Sequence, residues 1–365
     1  MRQTEIPYVM MRGGTSRGPF MRRSDVPEDL DELARVLIAI IGAGHPQNID
    51  GLGGGTPVAT KTAMLSVSQE EGIDVDYFFA QVAVDKEVVD FAPTCGNMLS
   101  AVGPAAVELG LISPPDGETT TRIRCVNTGA YAEATHRIED GLPVYDGNEA
   151  IDGVNGTAAT VVLRFEGTVG SRTGALLPTG NVIDRIGGID VTCIDVAMPM
   201  VMARATDLGV TGHEPSAELD ADADLFARFE PIRREAGRMM GFGDVSDKVV
   251  PKFGIVAEPQ RGGAVAARYF MPWKTHPTMA VTGSQCFAAL SVLPGSVADG
   301  IARTPPGLGD GPVRMTIEHP IGGIHVELDA SITNSGLDLR SAGLIRTARM
   351  LAKGVATIPA AIWRN

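Results

Sequence analysis

Two apolar stretches decide the fold that this sequence predicts. The first, Asn97–Leu109, reads NMLSAVGPAAVEL, and the second, Gly283–Leu293, reads GSQCFAALSVL. A helix that is apolar on all sides belongs in the interior of a protein. We therefore expect one fully buried helix in each half of the chain.

Short apolar runs bounded by Gly, Pro, Asn and Asp surround both stretches and predict β-strands. These runs are Pro7–Met11, Ala63–Ser68, Tyr77–Val84, Thr121–Asn127, Tyr131–Arg137, Thr160–Phe165, Val191–Ile194, Gly254–Ala257, Ala264–Tyr269, Val313–Glu318 and Ile324–Leu328. Apolar residues at helical spacing predict two amphipathic helices, Asp29–Ile41 and Ala221–Met240. The predicted class is α+β, with each half of the chain a barrel-like sheet around its apolar helix.

The length of 365 residues suits two domains of common size. The segment Pro178–Asn181, PTGN, interrupts the local pattern and indicates a boundary nearby. We predict a first domain over residues 1–183 and a second over 184–365, whose final residues can return to the first. The likeness between the halves is architectural, since no short-period repeat is visible.

Charge and composition exclude several function classes. The chain has 31 Lys and Arg against 44 Asp and Glu, a net charge of −13, which argues against nucleic acid and anionic membrane surfaces as partners. A small anionic substrate is not excluded. Four single cysteines without a CxxC pair, and no apolar run of about 20 residues, predict a cytoplasmic protein with reduced thiols and no membrane span. Six scattered histidines and the lack of a GxGxxG pattern predict neither a metal nor a dinucleotide cofactor.

Three segments of the first half could carry chemistry. Met11–Gly18, MRGGTSRG, follows a strand and combines glycines, two hydroxyls and two arginines, which suits an anion cradle. A plain polar hairpin is an equally good interpretation. Asp50–Pro57, DGLGGGTP, is a glycine-rich loop before Lys61. A lysine partly removed from water loses part of its preference for the charged form and can act as a general base. A solvated lysine is the more common case.

The third segment, Thr94–Asn97, opens the first apolar helix with Cys95. A thiol at a helix N-terminus faces unpaired N–H groups, which favour the thiolate and can hold a substrate carboxylate. An inert buried cysteine is the alternative. In the second half, Thr282-Gly283-Ser284 takes the corresponding place, with His276 nearby as a weaker candidate.

Together these segments resemble the PrpF-like isomerase family nearly end to end. The matching segments are Met11–Ser16, Ile49–Gly54, Thr60–Lys61, Asp74–Tyr77, Cys95–Asn97, Val102–Pro104, Gly174–Asn181, Val281–Gly283 and Arg346–Arg349. The resemblance implies a fold similar to diaminopimelate epimerase, with two pseudosymmetric domains and the site between them. It also implies that Lys61 and Cys95 form the acid/base pair. Implied substrate-binding residues are Thr15, Ser16, Gly53, Gly54, Gly96, Asn97, Thr282, Gly283 and Ser284.

The resemblance then implies a cofactor-independent isomerase or tautomerase that moves a proton on an unsaturated di- or tricarboxylic acid. Thr282 stands where epimerases of this fold place a second cysteine, which disfavours a two-thiol racemisation. The family's members include 4-oxalomesaconate tautomerases, our preferred assignment, as well as 2-methylaconitate and 3-methylitaconate isomerases. A non-catalytic small-acid binding protein, a partner of another enzyme and a racemase stay open, and so does the oligomeric state, with a homodimer as one option.

Overall fold

The computed structural model describes residues 3–334 and 336–364, so the ends of the predicted domains, Met1, Arg2 and Asn365, lie outside it. Its fold is α+β, as predicted. The described strands are β1 (Gln3–Gly13), β2 (Ser16–Arg22), β3 (Lys61–Val67), β4 (Val75–Val82), β5 (Val89–Asp90), β6 (Gly117–Cys125), β7 (Ala130–Glu139), β8 (Leu142–Pro143), β9 (Thr160–Phe165), β10 (Asp184–Ile186), β11 (Ile189–Asp195), β12 (Pro199–Arg204), β13 (Lys252–Ala257), β14 (Val265–Phe270), β15 (Val313–His319), β16 (Gly322–Thr333) and β17 (Gly336–Pro359). The described α-helices are α1 (Leu30–Ile41), α2 (Gly96–Leu99), α3 (Val102–Glu108), α4 (Ser216–Ala221), α5 (Ala223–Met239) and α6 (Val281–Val292).

The chain forms two compact units. Unit 1 is Met1–Glu166 together with Arg346–Asn365, and unit 2 is Gly167–Ile345. The sequence puts the boundary at 183/184, whereas the units divide at 166/167. The carboxylate of Asp195, at the end of β11, accepts hydrogen bonds from Ser171, Arg172 and Thr173. These bonds tie the segment before residue 183 to a strand of unit 2.

The strands of unit 1 close into an eight-stranded barrel. Around the ring the pairings are β1–β2, β2–β3, β3–β4, β4–β6, β6–β7, β7–β9, β9–β17 and β17–β1. The pairs β2–β3 and β4–β6 are parallel, and a helical segment connects the two strands of each pair, as a parallel crossover requires. The barrel has no exposed strand edge along this ring, which removes the edge-pairing hazard of an open sheet.

Helices cover both faces of this barrel wall. The apolar α2–α3 segment contacts β1, β2, β3, β4, β6, β7 and β8, so it is the central helical segment. On the other face, α1 buries Leu33, Val36 and Leu37 in a cluster that includes Met64 of β3 and Ala80 of β4. Asp29 caps α1 by accepting a hydrogen bond from the N–H of Glu32, which stabilises its N-terminus.

The predicted single helix over 97–109 is wrong in one respect, because it is broken at Ser100–Ala101. Pro104 is the physical reason. Its nitrogen carries no hydrogen to donate to the carbonyl of Ser100, and its ring disfavours a helical turn at that carbonyl. The two short helices are nevertheless buried as expected from their apolar sequence.

Unit 2 repeats this arrangement. Its pairings run β11–β12 antiparallel, β12–β13 parallel, β13–β14 antiparallel, β14–β15 parallel and β15–β16 antiparallel, the same order as from β1 to β7 in unit 1. The buried helix α6 contacts β11, β14, β15 and β16. Helix α5 packs on the opposite face, where Phe229 stacks on Phe253. Among the described residues, no helix is long and apolar enough to cross a bilayer.

Candidate active site

Lys61 lies on the face of the barrel wall that carries the central helices. It is the first residue of β3 and pairs with Gln81 of β4 in an antiparallel register. Side chains alternate along a strand. Because Met64 and Ala80 point towards α1, Lys61 and Gln81 point to the opposite face.

The half-buried amine of Lys61 has neutral neighbours. Its Nζ donates to Oε1 of Gln81 at 2.6 Å and lies 5.3 Å from the centre of the Phe79 ring. No carboxylate of the described chain forms an ion pair with it. The amine is thus held by a neutral hydrogen bond and an aromatic ring.

Cys95 is the accessible thiol of the chain. It precedes α2 as the N-cap residue and is half-buried, whereas Cys125, Cys193 and Cys286 are buried. Burial raises the pKa of Cys125, and it raises the pKa of Cys286 to about 12. Burial also raises the pKa of Cys193, with a further contribution from Asp184. Those three thiols are therefore held as neutral groups.

Strand β4 contacts both the Lys61 amine and the backbone of Cys95. Tyr77, Phe79 and Gln81 alternate onto one face of β4. Gln81 holds Lys61, the Phe79 ring lies under the amine, and the Tyr77 ring centre is 6.2 Å from that of Phe79. The Tyr77 hydroxyl donates to the carbonyl oxygen of Cys95 at 3.4 Å. One strand face thus contacts both predicted catalytic residues, although sequence analysis noted none of these three side chains for this role.

The hairpin between β1 and β2 packs against the start of α2. Asn97 donates from Nδ2 to the hydroxyl of Thr15 at 3.0 Å, which brings two predicted binding residues together. Gly14, at φ +51°, forms the turn, and a Cβ there would lie 2.3 Å from Oδ1 of Asn97. Ser16 is buried beside them. Arg12 donates from Nη1 to the carbonyls of Gly14 and Thr347 and so holds the hairpin to β17.

In the glycine-rich loop before β3, Gly53 and Gly54 have different surroundings. The N–H of Gly53 donates to the carbonyl of Ile41, so it is occupied within the loop. Gly54 lies beside the guanidinium of Arg17, because a Cβ at Gly54 would be 2.6 Å from its Nη2. Arg17 and Gly54 are therefore neighbours in the fold, which places a positive charge beside the loop.

The remaining predicted residues begin helices. Gly96 is the first residue of α2 in unit 1, and Thr282 and Gly283 lie in the first turn of α6 in unit 2. The Ser284 hydroxyl is buried and donates to the carbonyl of Val281. In the described part of the chain, no group of three or more His, Cys, Asp or Glu is arranged to hold a metal ion.

Known proteins similar to this chain are isomerases. The chain is 46% identical to the putative isomerase YbhH of Escherichia coli (strain K12), over 97% of this chain and 99% of that protein. It is 43% identical to the 4-oxalomesaconate tautomerase of Pseudomonas putida, over 100% of this chain and 99% of that protein. The crystal structure of methylitaconate-delta-isomerase superposes with a TM-score of 0.87 and 31% identity, covering 100% of both chains.

These similarities confirm the predicted class of protein, an isomerase of α+β fold. The model of the family described as PrpF protein matches residues 3–359. The chain belongs to the PrpF family.

Proposed function

We propose that this protein moves a proton within an unsaturated di- or tricarboxylic acid, without a cofactor, and that Lys61 and Cys95 transfer the proton. The observation that carries the proposal is the shared face of β4, which contacts the Lys61 amine through Gln81 and Phe79 and the Cys95 backbone through Tyr77. The two groups belong to one unit, whose barrel fixes both.

The proposed reaction conserves atoms and charge. One of the two groups removes a proton from a carbon next to a carbonyl or a vinylogous carboxylate, and the electron pair of the broken C–H bond delocalises into an enolate or dienolate. The other group donates a proton at the far end of that system, which completes a tautomer. Acid/base groups of this kind contribute roughly a hundred- to ten-thousand-fold in rate.

Donors around the hairpin and the glycine-rich loop suit the substrate's carboxylates. In unit 1 we assign this role to Thr15, Ser16, Gly54, Gly96 and Asn97, with Arg17 supplying positive charge beside Gly54. Gly53 shapes the loop, since its own N–H is occupied. In unit 2, Thr282 and Gly283 in the first turn of α6 stay candidates of the same kind. Ser284 does not, since its N–H donates to Ala280 and its hydroxyl to Val281. Fixed donors aimed at a developing oxyanion lower the free energy of the transition state.

The favoured substrate is 4-oxalomesaconate. The Pseudomonas putida relative that bears this name is aligned with the chain almost end to end. Substrates of the type named for methylitaconate-delta-isomerase, and 2-methylaconitate, are the next candidates. The four cysteines form no disulfide, which suits a reducing compartment, and we propose that the enzyme works in the cytoplasm.

A panel of unsaturated polycarboxylic acids in deuterated water tests the proposal by NMR. We expect the enzyme to exchange C–H protons of its substrate for deuterium and to build up the isomer. A panel that stabilises the protein against heat without any exchange would instead identify a binding protein. Exchange accompanied only by inversion of a chiral substrate would identify a racemase.

A further inference from the structure

Gln81 is held in one orientation beside Lys61. Its Nε2 lies 3.2 Å from the carbonyl oxygen of Pro57, 3.1 Å from that of Val82 and 3.3 Å from the Thr60 hydroxyl. An amide nitrogen only donates, and the oxygen only accepts. The reverse orientation would place the amide oxygen against two carbonyls and the NH₂ against an amine. The oxygen of Gln81 therefore faces Lys61.

The partner of Lys61 is neutral where a carboxylate would fit. A Glu has almost the same shape as a Gln, and at this distance its charge would strongly favour the ammonium form. The amide oxygen instead accepts a hydrogen bond from an ammonium or from a neutral amine. The Phe79 face, 5.3 Å from Nζ, adds a modest attraction for the charged form.

We propose that Gln81 is the positioning residue of Lys61: it holds the amine in place in both protonation states and does not trap it as ammonium. The inference rests on the proposed role of Lys61 in proton transfer. It goes further by naming the residue that positions the amine and keeps a fixed negative charge away from it.

Two substitutions of similar shape separate the placement of the Lys61 amine from the charge of residue 81. Gln81→Met removes the acceptor, and we expect kcat to fall about 10- to 100-fold with KM changed by less than about threefold, because a misplaced amine loses its alignment with the reacting carbon. Gln81→Glu adds a charge, and we expect one limb of the pH profile of kcat/KM to move to higher pH by about one unit or more. Gln47→Glu makes the same charge change at an exposed site and should leave the profile in place.

A further variant distinguishes an effect of Gln81 on folding from its effect on Lys61. Gln81→Asn keeps a neutral amide one carbon shorter, so we expect lower kcat with unchanged pH midpoints, even if Gln81→Met does not fold. Wild-type kcat in Gln81→Met, or a Gln81→Glu profile that superimposes on the wild type, would overturn the inference. Lys61→Ala separates failure of the proposed function from failure of the positioning role. If Lys61→Ala retains activity, the proposed function fails. If Lys61→Ala is inactive while the Gln81 variants behave as wild type, only the positioning role fails.

Discussion

The hydroxyl of Tyr77 donates a 3.4 Å hydrogen bond to the carbonyl oxygen of Cys95 from the fully buried ring of a barrel strand. Burial raises the pKa of Tyr77, and the neighbouring Cys95 raises it further, so the phenol stays a neutral donor throughout the working pH range. The bond fixes the backbone from which the Cys95 thiol extends. It thereby connects the packing of β4 to the predicted chemistry.

Removal of this hydroxyl should affect stability and rate together. We expect Tyr77→Phe to lower the free energy of unfolding by about 1 kcal/mol, the usual contribution of one hydrogen bond, and to lower kcat. Chemical denaturation and steady-state kinetics measure the two effects. Tyr8→Phe, in a less buried position of β1, is the control and should change neither. A Tyr77→Phe enzyme with both properties of the wild type would show that the bond is not needed.

The four thiols should differ sharply in reactivity. We expect iodoacetamide to alkylate the native protein at Cys95, because Cys125, Cys193 and Cys286 are buried and burial raises the pKa of each. Peptide mass spectrometry identifies the site, and alkylation in denaturant provides the reference for complete labelling. Equal labelling of a buried cysteine in the native state would contradict the described burial.

Gly18 should tolerate no side chain. A Cβ at this position would lie 1.8 Å from the carbonyl oxygen of Lys61. We therefore expect Gly18→Ala to push β2 and β3 apart, to lower the free energy of unfolding by about 2–3 kcal/mol and to reduce activity. Gly354→Ala is the matched control, since its Cβ would meet only ordinary contacts with Tyr8. Comparable stability of the two variants would show that the strands adjust freely.

Stability should fall on acidification because of His136. Burial lowers its pKa from 6.5 to about 4. The unfolded chain takes up a proton near pH 6.5 and the folded chain only near pH 4, so protonation favours unfolding between these values. The full shift corresponds to about 3 kcal/mol. Denaturation curves between pH 7 and pH 4 should therefore show a smaller loss of stability for His136→Gln than for the wild type. Substitution of the exposed His45 by Gln should leave the slope unchanged, and equal slopes for all three proteins would contradict the prediction.

Local residue patterns predicted the helices and strands whose apolar residues recur at a regular spacing. Strand Thr160–Phe165, the amphipathic helices and the second apolar helix follow from local residue patterns, whereas the first apolar helix is broken at Ser100–Ala101. Strand β17, Gly336–Pro359, carries no clear alternation and was not predicted. Its residues 348–359 pair with β1, more than 330 residues away, and such pairing leaves no local signal. Its residues 336–344 pair with the preceding strand β16. Strand β2 was not predicted because it contains Gly18 and Pro19, two residue types that usually mark turns.

The same limit applies to the site. Lys61 and Cys95 became candidates because their residue types and glycine-rich surroundings are visible in the sequence, and the family resemblance implied their pairing. Gln81 was not, because its contact with Lys61 depends on the register between β3 and β4. Arg17 and Gly54 likewise meet through the folding of a loop. The predicted substrate-binding roles of these segments stay predictions.

The most direct measurement is deuterium incorporation into a substrate by single variants. We expect Lys61→Ala and Cys95→Ala to lower the rate of C–H exchange in 4-oxalomesaconate, or in the best acid of the panel, by about 100-fold or more while retaining the wild-type melting temperature. Lys86→Ala, at an exposed site, should exchange at the wild-type rate. Wild-type exchange in either Lys61→Ala or Cys95→Ala would contradict the account.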